Sequence, residues 1–302
     1  MSSYATDETD VKDMGRLLTV MAGGSASDVW ARIPAYAPIA LMFWLVHVAF
    51  RFRAGGPVGV CDLALAALLF LPWSVRSRLL RVLMSAAAYF AVYYVAFLPL
   101  LDDIAARAHW HEIPALEAAL FPGTNPVIAV QAYRTTFLNV IFCIGYTLHI
   151  ANILVPLLFF LRTRDMANAD SYSSSFLACG YLGFAIYLLY PVVPPRLALP
   201  EVTAVTPPWA SDAWHTAGSW FRANPYAAMP SLHCAFPVLS YLYLRSIHSP
   251  LRWVFLGMSI WLFVGTVYLG EHYVSDVVAA MLVAWVAAES VRHMRRWSHD
   301  RS

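Results

Sequence analysis

Two polar residues near the C-terminal end of the chain have the types and spacing that nucleophilic catalysis needs. His272 and Asp276 are four residues apart, so on a helix they would share a face and touch. A carboxylate bonded to one imidazole nitrogen fixes the tautomer and leaves a lone pair on the other nitrogen. The spacing therefore predicts that His272 is a nucleophile oriented by Asp276. A metal ion held by this pair and His233 is an alternative, although no cysteine has ligand-like spacing beside them.

The segment AAMPSLH, residues 227–233, predicts the start of a helix that faces a substrate. Proline is favoured in the first turn of a helix, and here Pro230 is followed by Ser231 and Leu232. The free N–H groups at such a helix start form a favourable site for phosphate. His233 lies in the same turn, where it could protonate a departing alkoxide as a general acid. The alternative for His233 is an interfacial histidine bonded to a backbone carbonyl.

Arg196 follows the proline-rich stretch YPVVPP, which should end a helix and place the arginine at the membrane surface. Its planar guanidinium group could hold a phosphate through two nitrogens, or it could anchor the chain to lipid headgroups. A serine protease built on Ser231 is disfavoured, because the surrounding residues lack a Gly-x-Ser-x-Gly elbow.

The composition of the chain is that of a membrane protein. Of its 302 residues, 60% are hydrophobic and 13% are charged, and the mean hydropathy is +0.59, which is too apolar for a soluble domain of this length. A net charge of +2 with a single lysine, Lys12, gives no basic stripe for nucleic acid. The four cysteines all lie in apolar runs, so neither disulfides nor a zinc cluster is expected.

Apolar runs along the chain predict an all-α, polytopic membrane helix bundle with a six-helix catalytic core and about eight membrane segments. We expect a polar cytoplasmic segment over residues 1–32 without a cleavable signal peptide, and N-terminal membrane helices over 33–101. A catalytic membrane domain should follow over 102–290, with a basic tail over 291–302. The predicted apolar segments are Ile33–Phe50, Pro57–Trp73, Val82–Leu101, Thr135–Leu161, Phe176–Pro195, Ser231–Leu244, Trp253–Gly270 and Val277–Ala288.

The distribution of arginine predicts the orientation of these segments. Most of the 20 arginine and lysine residues fall in the termini and in alternate connections, which the positive-inside bias assigns to the cytoplasm. Both termini should then be cytoplasmic, and the candidate catalytic residues should face the extracytoplasmic side.

Two long connections interrupt the apolar segments. The first, Asp102–Arg134, contains the stretch Ile113–Phe121, which is either an amphipathic helix in the membrane interface or a folded loop. The second, Arg196–Pro230, carries Trp209, Trp214 and Trp220. Indole rings are favoured at the headgroup level, so this connection is interpreted as an aromatic anchor, with a substrate lid as the alternative.

In chain order, Arg196, the stretch from Pro230 to His233, and the pair of His272 and Asp276 resemble the three motifs of the type-2 phosphatidic acid phosphatase superfamily. The resemblance implies that His272 attacks phosphorus to give a phosphohistidine, that Asp276 orients it, and that His233 protonates the leaving group. Water or another alcohol would then resolve the intermediate.

This chain departs from the commoner family pattern at several positions. Leu189 and Leu197 stand where that pattern has lysine and proline, Leu232 where it has glycine, and Gly265 and Thr266 where it has serine and arginine. Two basic phosphate ligands are therefore missing, so Arg196, Ser231, Leu232, the helix start and other groups must hold the phosphate. The substitutions resemble the inositol phosphorylceramide synthase branch, which moves phosphoinositol from phosphatidylinositol to ceramide.

These observations predict a lipid phosphotransferase whose partners are a phospholipid donor and a lipid or alcohol acceptor. Further pocket residues are expected at Arg134, Tyr146, His149 and Glu271, although hydrogen bonds between neighbouring helices are the alternative explanation for Tyr146 and His149. No cofactor or metal is expected, since the chain lacks a P-loop and a dinucleotide motif. A phosphatase of phosphatidate or polyprenyl phosphate is the nearest alternative. A transporter or channel is a weaker one, because these polar residues gather at one surface.

Overall fold

The structure is a computed structural model that describes residues 34–57, 59–75, 77–205 and 224–299, and in these ranges it contains helices and no strand. The predicted Trp209, Trp214 and Trp220 anchor and the polar segment over residues 1–32 lie outside the described residues. The α-helices are α1 (Ala37–Arg53), α2 (Val60–Ser74), α3 (Arg78–Phe97), α4 (Leu101–Ala106), α5 (Glu112–Leu120), α6 (Pro126–Gln131), α7 (Thr136–Thr147), α8 (Ala151–Arg162), α9 (Met166–Leu189), α10 (Pro195–Ala198), α11 (Leu232–Ser246), α12 (Leu251–Tyr268) and α13 (Val274–His299).

The predicted all-α, polytopic membrane bundle is confirmed. Four helical stretches among the described residues are long and apolar enough to cross a membrane: Leu79–Ala106, Met166–Leu189, Leu251–Tyr268 and Val274–Trp297. A fifth span is possible if α7 and α8, which meet at an angle of 49°, act as one broken span. Helices α1, α2 and α11 match the other predicted segments but have only 17, 15 and 15 residues, so the count of eight stays a prediction.

Helix α9 lies at the centre of the bundle and packs against α1, α3, α8, α11 and α13. Small residues allow this close approach. A Cβ atom on Gly183 would lie 2.8 Å from Leu232, and one on Gly180 would lie 2.5 Å from the Tyr89 ring. The contact at Gly183 seats the first residue of α11 against α9. The central helix thereby determines where the candidate phosphate-binding turn lies.

Helix α9 begins at Met166, earlier than the predicted boundary at Phe176. The extra turns contain buried serines, which look unfavourable in an apolar segment when only hydropathy is considered. In the structure Ser173 Oγ donates to the Ala169 carbonyl at 2.9 Å, and Ser175 Oγ lies 2.6 Å from the Tyr243 hydroxyl. Hydrogen bonds within and between helices therefore satisfy these hydroxyls.

The predicted segment Thr135–Leu161 is broken rather than continuous. A 3₁₀ turn over Leu148–Ile150 separates α7 from α8. At this break His149 Nδ1 lies 2.8 Å from the Tyr146 carbonyl, which is a carbonyl of the last turn of α7. A side chain that takes part in the backbone ladder is a recognised cause of a sharp bend.

Charged residues tie three helices together at the end of the bundle where α9 begins and α13 ends. Asp170 of α9 lies 3.3 Å from Arg81 of α3 and 2.6 Å from Arg295 of α13. Helix α13 thus extends well beyond the predicted Ala288, because its last turns pair with α9. At the opposite end of the bundle, α9 leads into Tyr190 and Arg196, and α13 begins at Val274.

A buried polar cluster joins α1 to α2. His47 Nε2 lies 3.1 Å from Asp62 Oδ1, and Arg51 Nε lies 3.6 Å from the same oxygen. The other carboxylate oxygen accepts a hydrogen bond from the Gly59 N–H at 2.8 Å. Asp62 is fully buried, so these partners are what allow a carboxylate in an apolar helix.

Candidate active site

His272 lies in the tight turn between α12 and α13. Gly270 adopts φ +73°, a left-handed conformation that glycine reaches without strain. The N–H groups of Glu271 and His272 then both donate to the Thr266 carbonyl, at 3.1 and 3.2 Å. A Cβ atom on Gly270 would lie 2.7 Å from Val202. The glycine is therefore needed both for the turn and for the close approach of the chain segment that follows α10.

Asp276 and His272 meet, but not on the face of a helix as their spacing predicted. Helix α13 begins at Val274, so His272 precedes it and Asp276 lies in its first turn. His272 Nδ1 lies 2.8 Å from the Ala228 carbonyl oxygen and 3.6 Å from Asp276 Oδ2. Asp276 Oδ2 also accepts the Tyr273 N–H at 2.8 Å, as a carboxylate at a helix start commonly does.

The hydrogen bond from His272 to Ala228 defines the chemistry of the imidazole. A carbonyl oxygen only accepts hydrogen bonds, so Nδ1 must carry the proton. Nε2 then has the free lone pair that a nucleophile needs. The buried Asp276 carboxylate is placed to stabilise the ring when it becomes cationic.

His233 lies across from His272, in the first turn of α11. The two ring centroids are 5.9 Å apart, which is close enough for both rings to contact one phosphate group. Ser231 is the N-cap residue of α11, and its N–H donates to the Asp276 carbonyl oxygen at 3.2 Å. The start of α11 is thus joined directly to the start of α13. The structure brings Ser231, Leu232, His233, His272 and Asp276 together, as the sequence predicted.

The other predicted pocket residues divide into two groups. Tyr146 stacks on His233 with a centroid distance of 4.3 Å, and His149 meets the same ring edge to face at 4.3 Å. Arg134, in contrast, is exposed in the turn between α6 and α7. No described contact joins its side chain to the histidines.

Arg196 and Glu271 form an ion pair beside the nucleophile. Arg196 Nε lies 2.9 Å from Glu271 Oε1, and both side chains are mostly buried. The backbone strengthens this placement, because the Arg196 N–H donates to the Gly270 carbonyl at 2.9 Å. Glu271, which was predicted as a pocket residue, thus contacts Arg196, the residue predicted to bind phosphate.

Glu117 of α5 is a site residue that sequence reasoning missed. Its side chain is fully buried, and Oε1 accepts the Ser275 N–H at 2.8 Å. Ser275 immediately precedes Asp276 in the first turn of α13.

The stretch Ile113–Phe121 was predicted as an interfacial helix or a folded loop, and the structure contains a helix there, α5. The polar residue that α5 turns inward caps α13, whereas Leu116 and Leu120 are exposed on its outer side. Its location in the membrane interface stays a prediction.

We expect Glu117→Ala to lower the rate of the reaction at this site by about tenfold, because losing a helix cap costs about 1 kcal/mol and loosens the turn that carries Asp276. Glu117→Gln keeps an oxygen that can accept the Ser275 N–H, so it should retain most of the activity. Initial rates of the two purified variants, measured at equal folded concentration, test this expectation. Equal losses in both variants would show that the carboxylate charge matters rather than the hydrogen bond.

The all-helical membrane bundle gathers two histidines, an arginine and a buried aspartate at one end, an arrangement that suits chemistry on a phosphate group. The family model described as the PAP2 superfamily matches residues 111–289, which is more than half of the chain, and the chain belongs to this superfamily. Within the described residues, no group of three or more His, Cys, Asp or Glu side chains could hold a metal ion.

One curated relative is similar to part of the chain. It is the inositol phosphorylceramide synthase catalytic subunit aur1 of Schizosaccharomyces pombe, which is 34% identical over 85 residues. The match covers 25% of this chain and 20% of the relative, so the chain spans about a fifth of that protein's length in the comparison. No solved structure gives a significant match.

Proposed function

We propose that the protein is a lipid phosphotransferase that moves a phosphate-linked headgroup, such as phosphoinositol, from a phospholipid donor to a lipid or alcohol acceptor. The observation that carries this proposal is that His233, in the first turn of α11, faces His272, just before α13, and that the starts of these two helices share a hydrogen bond. The similarity to an inositol phosphorylceramide synthase subunit supports the choice of headgroup.

In the first half of the reaction, His272 Nε2 uses its lone pair to attack the donor phosphorus. The bond from phosphorus to the lipid oxygen breaks, and the leaving alkoxide takes a proton from His233. The headgroup phosphate remains on His272 as a phosphohistidine. The Ala228 carbonyl and Asp276 stabilise the ring while it carries the headgroup, because both face Nδ1.

In the second half, the acceptor hydroxyl gives its proton to His233, which the first half left neutral. The acceptor oxygen attacks phosphorus, the P–N bond breaks, and the bonding electrons return to His272 as its lone pair. Arg196 and the N–H groups at the start of α11 hold the phosphate oxygens throughout. No step needs an oxidant, a nucleotide or a cofactor.

The charge of the phosphate site favours a phosphodiester over a phosphomonoester. The commoner family pattern has a lysine and a second arginine where this chain has Leu189, which is 57% exposed, and Thr266, which is fully buried. A phosphodiester carries one negative charge and a phosphomonoester carries about two, so it needs fewer cations. This supports transfer of an intact headgroup.

Headgroup-labelled phosphatidylinositol, incubated with the detergent-solubilised protein and either ceramide or diacylglycerol, tests the proposal. We expect the label to appear on the added lipid. Release of free phosphoinositol alone would show that water is the acceptor. Release of inorganic phosphate from phosphatidate or polyprenyl phosphate, without any turnover of the diester, would replace the proposal with the phosphatase alternative.

We also propose that both termini are cytoplasmic and that the active-site end of the bundle faces the extracytoplasmic side. The arginine distribution supports this orientation, and Arg81 and Arg295 lie at the end of the bundle opposite the histidines. A reporter fused after Ser302 should be active in the cytoplasm. An extracytoplasmic signal from that fusion would reverse the topology.

A further inference from the structure

We propose that Glu271 determines the substrate class of the site, because its carboxylate lowers the positive charge that Arg196 offers and so rejects doubly charged phosphomonoesters. This inference rests on the proposed function, since it concerns the phosphate that His272 attacks. Glu271 would then select between substrates by their charge, in addition to positioning Arg196.

The geometry places Glu271 beside both the phosphate ligand and the nucleophile. Its Oε1 atom lies 2.9 Å from Arg196 Nε, and its backbone directly precedes His272. The side chains are only 17% and 12% exposed for Glu271 and Arg196, so water screens their charges weakly. The electrostatic potential of both charges therefore acts on a phosphate bound beside Arg196.

The guanidinium group remains able to bind phosphate while it is paired. Glu271 approaches the Nε side of Arg196, so the ion pair leaves the two terminal nitrogens on the other edge of the guanidinium group. These two nitrogens form the outer edge of the planar group, which suits two phosphate oxygens. The pair of Arg196 and Glu271 thus offers a phosphate two hydrogen-bond donors, while the net charge of the pair is close to zero.

Such a site discriminates by charge rather than by shape. The fixed charges of Arg196 and Glu271 cancel, and Asp276 adds a further buried negative charge behind His272. Each negative charge on a bound phosphate is repelled by the Glu271 carboxylate, so a dianion loses about twice as much as a monoanion. Lipid phosphodiesters are monoanions, whereas phosphatidate and polyprenyl phosphate approach the dianion above neutral pH.

A pure positioning role makes a different prediction. If Glu271 only held Arg196 in place, an amide at the same position would preserve the contact through its oxygen. Glu271→Gln would then leave the preference between substrates unchanged. If Glu271 sets the charge, the same variant changes that preference while the arginine stays in place.

The experiment compares wild type, Glu271→Gln and the control Glu112→Gln at pH 8. Glu112 pairs with His109 at 2.9 Å but is 55% exposed, so it is a carboxylate outside the site. For each protein, kcat/KM is measured for the labelled phosphatidylinositol diester with ceramide and for phosphatidate. We expect Glu271→Gln to raise the ratio of phosphatidate to diester turnover by about tenfold or more, and Glu112→Gln to leave the ratio unchanged.

An unchanged ratio in Glu271→Gln, with normal diester transfer in the wild type, would overturn the inference and leave the proposed function intact. Absence of diester transfer in the wild type would overturn both. Should Glu271→Gln fail to fold, Glu271→Ala replaces it, and the ratio of inhibition by inorganic phosphate to inhibition by dimethyl phosphate at pH 8 should be higher in this variant than in the wild type. An equal ratio in the two proteins would overturn the inference.

Discussion

His272→Ala is expected to abolish headgroup transfer, with a fall in kcat on the order of 10⁴ or more. The substitution removes the Nε2 lone pair that would form the proposed covalent intermediate, and no other described imidazole both faces His233 and bonds the Ala228 carbonyl. The chemical step therefore has no substitute nucleophile. Transfer of label from phosphatidylinositol to ceramide measures the loss.

Trapping of the intermediate gives an independent measurement of the same prediction. Brief incubation with phosphate-labelled donor, followed by alkaline denaturation, should leave label on the wild-type protein and none on His272→Ala. His293→Ala is the matched control, because His293 lies on α13 well away from the site and is exposed. Full turnover by a correctly inserted His272→Ala variant would exclude the proposed mechanism.

His233→Ala should lower kcat by about 10²–10⁴ for natural lipid donors, which is the usual contribution of a general acid. A lipid alkoxide is a poor leaving group unless it is protonated as the bond breaks. A nitrophenyl phosphodiester releases a stable phenolate and does not need this proton. The loss on the nitrophenyl substrate should therefore be much smaller.

The comparison of the two substrates separates proton donation from structural damage. His233 also packs against Tyr146 and His149, so its removal could disturb the pocket. A disturbed pocket would slow both substrates equally. Equal losses on the lipid donor and on the nitrophenyl diester would therefore contradict the general-acid role.

The sequence was sufficient to predict the helical elements because long apolar runs in a membrane protein have few other structures available. It was less informative where polar residues are satisfied inside the bundle. The serines at the start of α9 and His149 at the break between α7 and α8 are examples. Their effect depends on partners such as Tyr243 and the Tyr146 carbonyl, which hydropathy does not reveal.

The site residues were predictable to the extent that side chains carry the signal. His233, His272 and Asp276 have distinctive types and spacing, and the structure places them together. The Ala228 carbonyl was not predictable, because every residue has one and only the fold shows where it points. Glu117 was missed for a related reason, since it approaches Ser275 from a helix far away in sequence.

The shared hydrogen bond between the Ser231 N–H and the Asp276 carbonyl joins two segments that are synthesised at different times. The Arg196 segment, the start of α11 and the cap from α5 all leave the ribosome before α13. None of them can form the site until α13 has inserted and brought Asp276 and the adjoining His272 against them. A nascent chain that stops before α13 can already occupy the membrane, yet it lacks Asp276 and the hydrogen bond that joins the two halves of the site.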